Sequence, residues 1–128
     1  MTDILRRGRL GATDDEVDEF LSSFGSDRRI FGADIDVGRA HVVMLAERGI
    51  VSEEDAAAIL GALEEVEEAG FDTLDDSHED VHPAIEAAVV ERVGEDVGGR
   101  LHTARSRNDE VATCIRVALR EETTRRYE

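Results

Sequence analysis

The sequence predicts an all-α fold, and three observations carry that expectation. Apolar residues recur at three- and four-residue spacing in one segment after another, the period of a helix with one buried face. Helix-start signals of the form S/T-x-x-E/D precede two of these segments. Glycines stand just beyond them, where a left-handed backbone closes a helix.

Each element follows in order. Thr13 begins T-x-x-E with Glu16, and Val17, Phe20, Leu21 and Phe24 fall at i, i+3, i+4 and i+7, with Gly25 placed to end the helix. In "FGADIDVGRAHVVMLAERG" the apolar set is Val37, Ala40, Val43, Met44 and Leu45, and Gly49 is the stop. Ser52 opens S-x-x-D with Asp55, Ala56, Ile59, Leu60, Leu63 and Val66 form a clean stripe, and Gly70 closes it. Residues 71–79 read as a polar loop. Pro83 suits the first turn of a helix, where a missing N–H costs nothing. Ile85, Ala88, Val89 and Val93 continue that helix and Gly94 stops it. Residues 95–108 read as irregular, and the last helix begins near Asn108 or Asp109 with Val111, Ile115, Ala118 and Leu119 on its inner face. That helix meets no Gly or Pro stop signal before the sequence finishes, a pattern that fits either a terminus that frays or a piece cut within a long helix.

The 128 residues suit one domain, 1–128, with no composition shift that marks a linker. A chain of this size buries roughly two-thirds of its unfolded surface. Its core must be aliphatic, because there are four Phe, one Tyr and no Trp. The net charge of −16 opposes phosphate contacts, so neither nucleic acid nor an anionic membrane surface is an expected partner. Every one of the 15 basic residues is Arg. A GC-rich genome accounts for Arg in place of Lys but not for 31 acids, which point to adaptation to high salt, where an acidic surface stays soluble and its self-repulsion is screened. A lone cysteine, Cys114, excludes an internal disulfide and fits the cytoplasm. The first ten residues hold no apolar run of signal-peptide length, and nothing approaches the roughly 20 apolar residues of a membrane span.

Two motifs stand out. "HEDVH", His78 to His82, matches the H-E-x-x-H zinc pattern, which needs both histidines on one helical face. Pro83 follows directly and disfavours helical geometry at His82. No metal is therefore expected there; Asp80 is expected to cap the following helix and one histidine to serve as a hydrogen-bonding group. The second motif is "LHTARSRNDEVA", residues 101–112, which gathers Thr103, Arg105, Ser106, Arg107 and Asn108 at a helix start. The unpaired N–H groups of a helix N-terminus favour anions. Arg105 and Arg107 can each fork onto a carboxylate, and the hydroxyls and amide add neutral hydrogen bonds. An anionic ligand with more than one carboxylate fits this composition. So does a purely structural arrangement, in which the arginines pair with surface acids and Asn108 caps the helix.

"LHTARSRNDEVA" resembles the signature of the argininosuccinate lyases, with Ala104 where that family usually has Gly and Glu110 where it has Gln. The likeness extends from about Gly8 through "FGADIDVGRAHVVMLAERGIVSEED" and "HEDVHPAIEAAVVERVG" to the end. It covers nearly the whole chain but only the N-terminal part of the family's longer protein. The resemblance implies the all-α N-terminal domain of the fumarase/aspartase superfamily, its last helix leading into a central helix bundle that lies outside this chain. It implies a cytoplasmic enzyme of arginine biosynthesis that splits argininosuccinate into arginine and fumarate by β-elimination, works without a cofactor and assembles as a homotetramer.

Carried over by position, Ser23 in "FLSSF" and Asn108 match substrate-binding residues, and Ser106 and Arg107 belong to the same strip. Asp27, Asp80 and His82 match polar positions beside the site, which Thr103 and Arg105 support. The family's catalytic Ser and its Thr-His pair lie on segments beyond residue 128. No catalytic residue is therefore expected in this chain, and the 128 residues alone are expected to be inactive. A non-catalytic structural or interaction module of the same fold is the alternative.

Overall fold

The computed structural model describes residues 14–127, and among these every regular element is helical. The order is α1 (Asp15–Leu21), a 3₁₀ segment (Phe24–Ile30), α2 (Phe31–Glu47), α3 (Glu53–Ala69), a 3₁₀ turn (Phe71–Thr73), α4 (Val81–Val93), α5 (Glu95–Gly98), a second 3₁₀ turn (Gly99–His102) and α6 (Arg107–Tyr127). α3 packs against both α2 and α4, and α6 lies along α2.

The helix boundaries obey local rules. Ser52 caps α3 and its hydroxyl accepts the N–H of Asp55 at 3.1 Å. Gly70 and Gly94 close α3 and α4 with φ of 87°. α2 ends in a Schellman motif: Gly49 N–H reaches the Ala46 carbonyl, Ile50 N–H reaches that of Leu45, both at 2.9 Å, and Gly49 carries the required φ of 66°. Thr13, the start of the expected first capping box, lies outside the described residues. α1 itself starts behind Asp14 without a side-chain cap bond.

The core is aliphatic, as composition requires. Ile35, Val42 and Leu45 of α2, Ile59, Leu63 and Val66 of α3, and Val81 and Val89 of α4 are fully buried. Each such side chain contributes roughly 1.5–3 kcal/mol on leaving water. Three of the four phenylalanines tie the first 3₁₀ segment and the start of α2 to the 3₁₀ turn after α3. Phe71 packs against Phe24 (ring centroids 4.9 Å apart) and edge-on against Phe31 (5.9 Å), with the Arg28 guanidinium 4.6 Å above its ring. α5 lies so close to α4 that a Cβ on Gly98 would sit 2.8 Å from the Val90 Cα, so only glycine fits there.

Several sequence expectations are corrected. α1 ends at Leu21, four residues before Gly25, and buries none of its side chains; Phe20 is 87% exposed. Phe24 is buried, but from the 3₁₀ segment that follows. In α2 the inner face is Ile35, Gly38, Val42 and Leu45, while Ala40, Val43 and Met44 point outward. The end of α2 is apolar nearly all round, so periodicity alone does not choose a face.

Residues 71–79 hold a short 3₁₀ turn and a buried Leu74 rather than a uniform polar loop. Residues 95–102 are helical, not irregular. In α6 the inner side is Glu110 and Cys114, whereas Ile115 and Leu119 are exposed. His82 is helical despite Pro83, because α4 already begins at Val81. Pro83 thus sits within the first turn, where an absent N–H removes no helical bond. His78 stays in the turn before α4, so the two histidines of "HEDVH" do not share a helical face.

Candidate functional site

Three chain segments meet where the sequence points. Ser23 precedes the 3₁₀ segment, Asp80 precedes α4, and Ser106 precedes α6. The Ser23 hydroxyl donates to Asp27 Oδ2 at 2.9 Å, and the same oxygen accepts the Val81 N–H at 3.1 Å. The Ser23 N–H donates to the Glu79 carbonyl at 2.9 Å. These bonds fix the 3₁₀ segment to the N-terminus of α4.

Asp80 links that terminus to α6. Its Oδ1 accepts the His82 N–H at 3.0 Å, the expected cap. Its two oxygens also accept from Arg107 Nη1, at 2.7 and 2.5 Å. Charge-assisted bonds of this kind are about twice as strong as neutral ones. Arg107 is therefore held in place between two helix starts.

α6 opens with its own capping box. The Ser106 hydroxyl accepts the Asn108 N–H at 3.3 Å, and Asp109 Oδ1 reaches back to the Ser106 N–H at 2.8 Å. Ser106, not Asn108, is thus the cap. The Asn108 side chain is left on the exposed side of the first turn. The Thr103 carbonyl accepts from His41 Nε2 of α2 at 2.8 Å. Burial holds the His41 pKa below its ordinary value; the bond to Thr103 works against that shift and the nearby Arg105 adds to it.

Beneath this strip lies a buried charged cluster. Arg105, with its side chain 4% exposed, places Nη2 3.0 Å from Glu110 Oε1. His82 Nδ1 lies 3.0 Å from Asp34 Oδ2 and 3.8 Å from Glu110 Oε1. The Cys114 thiol donates to Asp34 Oδ1 at 3.3 Å. Burial, together with the Asp34 charge, pushes the Glu110 carboxyl up to about 7, against the pull of Arg105, His82 and Arg107. Burial alone would lower His82, but the close approach of Asp34 and the charges of Asp34, Glu110 and Asp80 outweigh that and raise it. Burial also pushes the Cys114 thiol up, as do the charge and hydrogen bond of Asp34.

The structure thus brings Ser23, Asp27, Asp80, Ser106 and Arg107 into one bonded strip, with Asn108 at its rim and His82 and Arg105 below. Both arginines already have protein carboxylates as partners, but these are buried or half-buried acids rather than the surface acids the structural reading supposed. Asp34 and Cys114 escape sequence reasoning as members of the cluster. A lone acid between Ala33 and Ile35 in "GADID" is the one signal that could have flagged Asp34. A groove of about 1090 Å³ runs along α4 between the end of α3 and the turn after α5; Thr103 and His78 border it, while Ser23, Asp80, Ser106, Arg107 and Asn108 do not.

Comparison with known proteins adds three findings. The profile of the family described as Lyase matches residues 8–127. The chain is 56% identical over 123 residues to a protein of Methanosarcina mazei named argininosuccinate lyase, covering 95% of this chain and 25% of that one. Proteins of the same name from Natronomonas pharaonis (60% over 120 residues, 94% of this chain and 24% of that one) and Halobacterium salinarum (68% over 101 residues, 79% and 20%) are also similar. The chain spans about a quarter of the length of the Methanosarcina mazei relative.

Proposed function

The chain belongs to the lyase family, and from that premise we propose that it supplies the N-terminal share of an argininosuccinate lyase site, binding and orienting the substrate. The observation that carries the reading is the pair of bonds, Asp27 to Val81 and Asp80 to Arg107, that joins three helix starts into one strip. Similarity to proteins named argininosuccinate lyase supports the choice of substrate.

β-Elimination removes a proton beside a carboxylate, builds negative charge on that group and expels a protonated guanidinium. Donors aimed at the developing charge lower the barrier most. In this reading Asn108 and Ser23 touch the substrate, and the first turn of α6 offers its N–H groups to a carboxylate. Ser106 sets that turn through its capping bonds, and Arg107 brings positive charge to the strip. Asp27, Asp80, Thr103 and Arg105 position these groups, and His82 supports them from below. The proton-abstracting group comes from outside these 128 residues. The reading includes an arginine-biosynthetic role in the cytoplasm and assembly into a homotetramer. The outward apolar residues Val43, Met44, Ile115 and Leu119 fit surfaces covered in such an assembly.

The test joins these residues to the remaining length that the relatives carry and follows fumarate release. Asn108→Ala is expected to lower kcat/KM by roughly 10²-fold or more, the size of a lost oxyanion donor. Glu65→Ala, which removes only an exposed pairing with Arg92, is expected to leave it within about twofold. Equal, small effects from both would overturn the assignment.

A further inference from the structure

We propose that Asp34, His82 and Cys114 form a buried site for a divalent metal ion of borderline softness, Zn²⁺ being the fitting ion. The three residues come from α2, α4 and α6, far apart in sequence, and are 4%, 5% and 0% exposed. One potential ligand atom from each lies within 4.8 Å of the others. The donor set of one thiol, one imidazole and one carboxylate is a zinc-type set, whereas an all-oxygen cluster would suit Mg²⁺ or Ca²⁺.

The ligand atoms lie within an ångström or two of the separations that a bound ion needs. A tetrahedral zinc ion with bonds of about 2.0 Å to N and O and 2.3 Å to S needs ligand atoms roughly 3.3–3.6 Å apart. Asp34 Oδ1 stands 3.3 Å from the Cys114 sulfur and Asp34 Oδ2 stands 3.0 Å from His82 Nδ1, so the carboxylate already reaches both partners, one through each oxygen. The Cys114 thiol donates to Asp34 Oδ1, while His82 Nδ1, 3.0 Å from Asp34 Oδ2, is a buried ring nitrogen without a hydrogen-bond partner. An ion at this place would take the lone pair of that nitrogen, and the sulfur would bind as thiolate, its proton passing to solvent.

The neighbouring charges permit this. Arg105 is engaged by Glu110 and Arg107 by Asp80, so neither guanidinium faces the ion without a carboxylate of its own. A cavity of about 10 Å³, bounded by Asp34, His82, Arg105 and Glu110 among others, has room for one water as the fourth ligand. The site lies beneath the exposed strip of Ser23 and Asn108 and shares His82 with its support, and its test does not use lyase turnover.

The experiment adds Co²⁺ and then Zn²⁺ to the chelator-treated, reduced chain in molar potassium chloride, which screens weak binding to the acidic surface. The expected result is one Co²⁺ per chain with a thiolate-to-cobalt charge-transfer band, displaced by Zn²⁺. Cys114→Ser is expected to lose the band and weaken binding at least 100-fold with its circular dichroism unchanged. Should that variant not fold, X-ray absorption of the zinc-loaded unsubstituted chain decides, and a sulfur neighbour at about 2.3 Å is expected. Metal bound through oxygen alone, or no stoichiometric binding by the folded chain, would overturn the proposal.

Discussion

Ala104 has a φ of 58°, a left-handed backbone that no other described non-glycine residue adopts. An L-residue pays roughly 1–2 kcal/mol there because Cβ crowds the carbonyl oxygen. Its methyl group is exposed and so gains no packing in return. Glycine relieves the strain but adds freedom to the unfolded chain, which returns part of the gain. Ala104→Gly is therefore expected to stabilise the fold by about 0.5–1 kcal/mol and to raise the Tm by about 2–4 °C in a thermal melt. A lower Tm would show that the turn does not hold strain at this position. The family signature that the segment resembles usually has glycine here, so the sequence already marks this backbone as unusual.

At the scale of elements, the caps are local devices whose cost of removal can be stated. Ser52 satisfies the Asp55 N–H at the start of α3, and three acids in that first turn suit the positive end of the helix dipole. Ser52→Ala is expected to cost about 1 kcal/mol, read as a lower denaturation midpoint in urea with the slope unchanged. An unaltered midpoint would mean that the cap contributes nothing.

The same locality explains which elements the sequence reveals. S-x-x-D before α3, glycine after α2, α3 and α4, and the cap at Asp80 are all settled within five or six residues of chain. The inner faces of α2 and α6 are not. Val43 and Met44, like Ile115 and Leu119, satisfy helical spacing yet point outward. The seat of α6 is instead set by Glu110 and Cys114, which meet Asp34 and His82 of other helices.

Over the whole molecule, 31 acids face 15 bases, and unfolding spreads the like charges apart. Runs such as Asp14–Glu19 and Glu64–Glu68 place acids three and four apart on helices, each such pair mildly destabilising. Ion pairs that bridge elements, among them Arg39 with Glu67 at 2.5 Å, Arg100 with Asp55 at 2.7 Å and Arg92 with Glu65 at 3.3 Å, engage only a minority of these acids. Screening length falls from about 10 Å at 0.1 M salt to about 3 Å at 1 M. The Tm followed by helical circular dichroism is therefore expected to rise steadily with potassium chloride into the molar range. Sodium sulfate is expected to add to it by strengthening apolar burial. A flat or falling series would mean that the acidic surface is not an adaptation to salt.

The sequence by itself determined the helical class, most helix starts and stops, the aliphatic nature of the core and the strip at the head of α6. These depend on side chains near their own backbone and on composition. Tertiary structure alone decided which faces turn inward and which charges meet. Asp34 and Cys114 lie 80 residues apart, and no spacing rule connects them. They meet because the packing of α2, α4 and α6 brings a carboxylate, an imidazole and a thiol into one buried place. Burial, together with the Asp34 charge, pushes the Glu110 carboxyl up to about 7, and the convergence of three ligand types makes the cluster a candidate metal site rather than three ordinary polar residues.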